Sequence, residues 1–207
     1  MKRIPKTSRD FQAAERREQI LQGAKELFAQ HGYHGTSIRA MHKHIGITDG
    51  LLYHYFPGGK QEILETIVKE AQESRFQQMD ELIKGIHPGQ PLEDALYQFI
   101  SGMVTKMLGD RDFLKIMLRD SEQIVSGDKH FMSDMVLQRL KDLTAALARR
   151  AAAGEIREMD FEAAARQVIS VGMMVVMSQV TAINLVQSDL DGYLRKMVTF
   201  TVSLWRK

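Results

Sequence analysis

The chain has 207 residues, 44% of them hydrophobic and 26% charged, with a net charge of +2; that balance is typical of a globular protein and excludes disordered, collagen-like and low-complexity classes. There is no cysteine, and there are only 4 prolines and 15 glycines, which removes disulfide scaffolds, thiolate-ligated metals and thiol catalysis and predicts long regular elements with sparse breaks. The charge is uneven: residues 1–60 carry ten Lys/Arg against five Asp/Glu, together with five of the seven histidines, so a basic head suited to a polyanion precedes a mildly acidic body.

In chain order, residues 1–11 form a basic arm (Lys2, Arg3, Lys6, Arg9) with no apolar run behind it, and so read as no secretory signal. From there the hydrophobic period is close to 3.6 almost throughout. Ile20, Ala24, Leu27 and Phe28 share one face, as do Ile38, Met41 and Ile45, then Leu92, Leu96, Phe99, Ile100, Met103 and Met107. Glycine, proline and short polar clusters interrupt the pattern. About nine helices are predicted, over 12–31, 37–44, 48–55, 60–85, 91–108, 112–124, 128–153, 160–187 and 190–206. The expected fold is all-α, with an N-terminal three-helix head at 12–60 and a larger helical bundle at 61–207.

The densest signal lies between Thr36 and Phe56. Thr36 or Ser37 can cap an eight-residue helix, leaving free N–H groups that suit a phosphate. Gly46 stands where a left-handed turn residue is needed; Thr48 can cap a second short helix, and Pro57-Gly58-Gly59 stops it. Two short helices joined by a three-residue glycine turn are the geometry that offers one helix to a major groove. The second helix leaves Thr48, Asp49, Gly50, Tyr53, His54 and Tyr55 as its polar or small positions. Small residues at its start let backbone approach base edges, and the aromatic and histidine groups can reach phosphates. Lys60 can add a charge to the same strand.

These residues resemble the TetR (tetracycline-repressor) family. The resemblance runs from Arg17 to about Leu64, through Ile20, Leu21, Ala24, Leu27 and Phe28, then Gly32…Gly35-Thr36-Ser37-Ile38, Ile45-Gly46-Ile47-Thr48, Gly50-x-Leu52-Tyr53-x-Tyr55-Phe56 and Lys60 before Ile63-Leu64. It implies a TetR-like fold in which Thr36, Ser37 and Arg39, then Thr48, Gly50, Leu51, Tyr53, His54 and Lys60, line double-stranded DNA. It implies a cytoplasmic, nucleoid-associated regulator, most often a repressor leaving a palindromic operator when a small effector binds. One departure is visible: Pro57-Gly58-Gly59 is a residue longer than the family's usual spacer before Lys60.

The body at 61–207 shows no catalytic signature: no Glu-x-x-His pair, no phosphate-cradling glycine loop and no Gly-x-Ser-x-Gly elbow. No metal site or cofactor is expected; His42 and His44 lie two apart on one helix and face different ways. The body is rich in methionine, which adapts to irregular apolar ligands. With the family in view, Phe99, Met103, Met107, Phe113, Met117, Met173, Met174 and Met177, with Met132, Met135 and Phe131, become candidates to line a pocket, and Gln138 and Ser170 to orient its occupant. That pocket would take a small hydrophobic or aromatic effector. From Gln167 to Ser188 the chain carries no charge. That run is long enough to span a bilayer, but most of its polar residues form one stripe, so burial within protein is the expectation and no membrane span is. A homodimer seam is expected on the last two helices at Val168, Gly172, Val175, Val176, Gln179, Ile183, Leu194, Met197 and Thr201. Two other classes stay open on sequence alone: a helical-bundle enzyme, and an architectural DNA-binding protein with no effector.

Overall fold

The structure is a computed structural model that describes residues 7–125, 129–181, 183, 186 and 189–206. Among them are ten helices and no strand: α1 (Ser8–Gly35), α2 (Ile38–Ile45), α3 (Asp49–Tyr55), α4 (Gly59–Lys84), α5 (Leu92–Leu108), α6 (Arg111–Arg119), α7 (Ser121–Val125), α8 (Lys129–Ala152), α9 (Phe161–Val180) and α10 (Leu190–Trp205). Two compact units are formed, one from Met1–Gln72 with Asp112–Gly127, the other from Glu73–Arg111 with Asp128–Lys207.

The first unit is built on α1. This helix begins four residues before its predicted start, because Thr7 and Asp10 cap each other's backbone N–H groups at 3.0 and 3.2 Å. Ile20, Ala24 and Phe28, fully buried at successive turns, form a ridge against which Met41, Leu52, Phe56, Ile63 and Leu64 close a core. At Gly32 the helical path breaks, with φ 77° and ψ 167°. The core is completed from far along the chain by Phe113, Ile116 and Ile124 on α6 and α7, with Met117 partly buried beside them. Phe113 and Met117 therefore pack against the head core. The single helix predicted at 112–124 is two, broken at Asp120, whose carbonyl accepts the N–H groups of Gln123 and Ile124.

In the second unit α9 packs on both α5 and α8, and α10 packs on α5. The α5–α9 crossing is close because Gly172 faces α5: a Cβ there would press into Met103 and lie 3.2 Å from Ile100 Cγ2. Arg150, fully buried, donates to the carbonyls of His87 and Gln90 and to Glu155 at 2.5–2.8 Å, joining two connections of the unit. Helix α9 stops at Val180, short of its predicted end at 187. Thr181 turns both its N–H and its hydroxyl onto Met177 O, and Val186 N–H returns to Ser178 Oγ at 3.2 Å.

The uncharged run of α9 is covered from within this unit, which corrects the expected dimer seam. Val168, Gly172, Val175, Val176, Leu194 and Thr201 are all buried in a single copy and have no surface to offer a second. Gln179 and Met197 are half-buried, and Ile183 is exposed. The apolar groups that α9 and α10 present outward are Met174, Phe200 and Leu204, with the Tyr193 hydroxyl donating to Met174 Sδ at 3.2 Å. The effector candidates divide as well. Phe99 and Met103 are buried, and Met107, Met173 and Met177 half-buried, whereas Met174 is exposed. Gln138 is exposed and bonded to Asp142 at 3.0 Å, and Ser170 is exposed with its hydroxyl on Arg166 O, so neither is a buried polar anchor. Gln138 borders an open polar groove of about 440 Å³ that also takes in Asp80, Lys84, Arg139 and Arg149. The side chains of Phe131, Met132 and Met135, and arm residues 1–6, lie outside what the structure describes.

Candidate nucleic-acid interface

Helices α2 and α3 meet at a turn whose shape the sequence dictates. Gly46 takes φ 69° and ψ 47°, the left-handed conformation that only glycine adopts without strain, and its N–H returns to His42 O. Ile47 is buried next to it. Three polar contacts fix the turn. Arg16 of α1 donates to Gly46 O at 3.0 Å, His44 meets Glu26 at 2.9 Å, and His42 Nδ1 meets Asp49 Oδ1 at 2.8 Å. The His44 and Gln22 side chains hold the Glu26 carboxyl below its ordinary range. The two histidines thus serve separate carboxylates. Where α1 passes α2 a Cβ on Gly23 would lie 2.6 Å from Ile45 Cγ1, so the approach of these helices requires glycine.

Helix α3 has a buried and an exposed side. Leu52 is fully buried, with Leu51 and Tyr55 packed partly against the core. Asp49, Gly50, Tyr53 and His54 are exposed and occupy an arc of about 140° at 3.6 residues per turn. A Cβ on Gly50 would meet nothing within 4 Å, so backbone is open to an approaching surface there. Thr48 is exposed and makes no side-chain cap bond to α3, which leaves its hydroxyl available. Tyr53 lies against Gly59, whose φ is 62° and whose Cβ position is 3.2 Å from the Tyr53 ring. On α2, Arg39 is exposed, and the exposed Ser37 caps the helix by accepting Ala40 N–H at 3.1 Å.

The broken end of α1 is held by residues that sequence reasoning either missed or placed elsewhere. Asp120 Oδ1 accepts Tyr33 N–H at 3.1 Å, and the Arg119 guanidinium donates to Ala29 O and Gln30 O. The Lys60 ammonium donates to Tyr33 O at 2.8 Å and Thr36 O at 3.0 Å and sits 4.1 Å from the Tyr33 ring centre. Burial lowers the Lys60 pKa against the opposing pull of Asp120. Thr36 is fully buried, its hydroxyl 2.8 Å from Gly32 O and 3.2 Å from Leu27 O.

Residues 20–67, which contain α2, α3 and Lys60, match the sequence profile of the bacterial regulatory proteins of the tetR family. That stretch carries the signature of the TetR family. The HTH-type transcriptional regulator UidR of Escherichia coli K12 is 28% identical over 132 residues, which cover 61% of this chain and 65% of UidR; the chain thus spans slightly less than two thirds of the length of that relative. Among solved structures, the TetR-family regulator PfmR of Thermus thermophilus superposes with a TM-score of 0.70 at 22% identity, covering 89% of this chain and 97% of PfmR. AibR in complex with isovaleryl coenzyme A and operator DNA gives 0.67 at 18% identity, covering 89% of this chain and 97% of AibR. At those identities the superpositions establish the fold. Within this head, three residues that the family resemblance assigned to DNA have inward contacts: Thr36 is fully buried, Leu51 packs partly against the core, and Lys60 serves two carbonyls. Tyr55 is half-buried, its ring 5.1 Å from that of His54 in an edge-on contact. Thr48, Asp49, Gly50, Tyr53 and His54 of α3, with Ser37 and Arg39 of α2, remain on the open side.

Proposed function

We propose that the chain is a cytoplasmic transcriptional regulator that binds a palindromic operator as a homodimer, acts as a repressor and is released by a small hydrophobic or aromatic effector. The observation that carries this reading is the exposed arc of α3, held rigid by Gly46, Arg16 and the two histidine–carboxylate pairs, with bare backbone at Gly50. Phosphate contacts from Tyr53, His54 and Arg39 would position the head, while Thr48 and the opening of α3 face base edges. For the dimer, the outward apolar groups Met174, Phe200 and Leu204 are the better seam, since the buried valines of α9 are already covered. Phe99, Met103, Met107, Met173 and Met177 remain the effector candidates. The AibR complex supports pairing a small-molecule response with operator binding in this fold. The effector acts only through its difference in affinity between conformers that do and do not match the half-site spacing.

The test is binding of the full chain to duplexes tiled across the DNA upstream of its own coding sequence, with and without a panel of apolar and aromatic acids. One tile bound as a two-chain complex and released by a panel member is the expected result. Equal binding of every tile contradicts the reading.

A further inference from the structure

An acid on the face of a basic head that meets a polyanion is opposed by every phosphate near it, and so calls for a local reason. Asp49 is such a residue: it lies on the exposed arc of α3 with its side chain 77% accessible. Its Oδ1 is 2.8 Å from His42 Nδ1, and the His42 side chain is only 16% accessible. The far nitrogen of that ring, Nε2, is buried without a hydrogen-bond partner. Facing a carboxylate, which can only accept, Nδ1 is the donor of this pair and Asp49 Oδ1 the acceptor. The ring is a fixed support reaching from α2 to α3 and aiming the carboxylate. The rest of the Asp49 side chain is open to solvent, and a Cβ on the adjacent Gly50 would meet nothing within 4 Å.

A carboxylate oxygen offered to a major groove can only accept hydrogen bonds, and the donors there are the amino groups of cytosine and adenine. Adenine sets an acceptor, N7, next to its amino group, which a carboxylate repels, whereas cytosine offers N4 alone. We infer that Asp49, oriented by His42, is a specificity-determining residue that reads one cytosine in each operator half-site. This rests on the DNA-reading function proposed above and adds to it the identity of a base and of the residue that aims the contact. His42 touches no base; it is a positioning residue.

The experiment selects bound duplexes from a randomised pool with the full chain as wild type, Asp49→Ala, Asp49→Asn, His42→Ala and His42→Asn, each checked for an unchanged far-ultraviolet spectrum. Wild type is expected to favour cytosine at one position per half-site by about tenfold, and Asp49→Ala to lose that preference there while keeping it elsewhere. Asp49→Asn, which can both donate and accept, is expected to move the preference toward adenine. His42→Ala should blur the same position, and His42→Asn, whose amide can donate in place of Nδ1, should restore it; a purely structural role would lower affinity without singling out one base pair. If Asp49→Ala keeps every base preference and binds all duplexes more tightly, the carboxylate only repels phosphate and the inference is overturned. A wild type that selects no sequence at all overturns the DNA-reading function itself.

Discussion

Removing the ammonium of Lys60 separates two roles that the sequence alone does not tell apart. In Lys60→Met the apolar stem stays, while the carbonyls of Tyr33 and Thr36 lose their donor and the Tyr33 ring loses a cation at 4.1 Å. A hydrogen bond from a charged donor is worth about 1.5–3 kcal/mol when well formed, and partial exposure brings each of these toward about 1 kcal/mol. The ring contact adds about 0.5–1 kcal/mol. A loss of about 2–3 kcal/mol follows, which for a chain of this size lowers the melting temperature by about 5–10 °C. Thermal unfolding followed by circular dichroism measures it. A lysine engaged in this way contributes little to counterion release, so the slope of log affinity against log salt should match wild type. A free phosphate contact would instead lower that slope by about one with no change in melting. Wild-type melting combined with the reduced slope would refute the assignment of Lys60 to the end of α1.

Thr36→Val keeps the shape of a buried side chain but deletes its inward hydroxyl, so it should cost about 1 kcal/mol in urea unfolding, while Thr36→Ser costs less. Gly32→Ala forces a side chain to φ 77° with Arg119 Cδ 3.3 Å away, and a loss of at least about 1 kcal/mol is expected. Arg150→Met leaves Glu155 and two carbonyls without their donor; a loss of about 3–5 kcal/mol, read as soluble yield and melting temperature, is the expected outcome. The Glu26 carboxyl is held below its ordinary value of 4.5 by its bonds to His44 and Gln22. Its contribution to stability is therefore present above that value and lost as pH falls through the lower folded one. Glu26→Gln should flatten the acid limb of a stability–pH curve measured below about pH 5, and an unchanged limb would contradict the pairing.

Local chemistry made some of this legible in the sequence. A glycine between two short amphipathic patterns has few uses, and Gly46 has the one expected of it; Ile20, Ala24 and Phe28 follow the period that places them inside. What escaped was set by partners remote in sequence. Asp120 and Tyr33 are 87 positions apart, and no local pattern says that α6 and α7 complete the head. Thr36 and Lys60 look like surface polar residues until the break at Gly32 frees carbonyls for them to satisfy. The charge-free stretch of α9 poses a different difficulty. Burial against α5 and α8 in the same copy and burial against a second copy leave the same hydrophobic signature, so Val175 could not be assigned from composition. The end of α9 was missed because Thr181 terminates it through side-chain bonding, where no glycine or proline marks the stop.

The most direct test of the account is a paired titration, by fluorescence anisotropy at about 150 mM salt, of the full chain against the duplex upstream of its coding sequence and a shuffled duplex of equal length. Affinity at least about a thousandfold higher for the native duplex, with two chains per palindrome by sedimentation, is the predicted result. Equal affinity for both duplexes, or a single chain saturating the site, would contradict it.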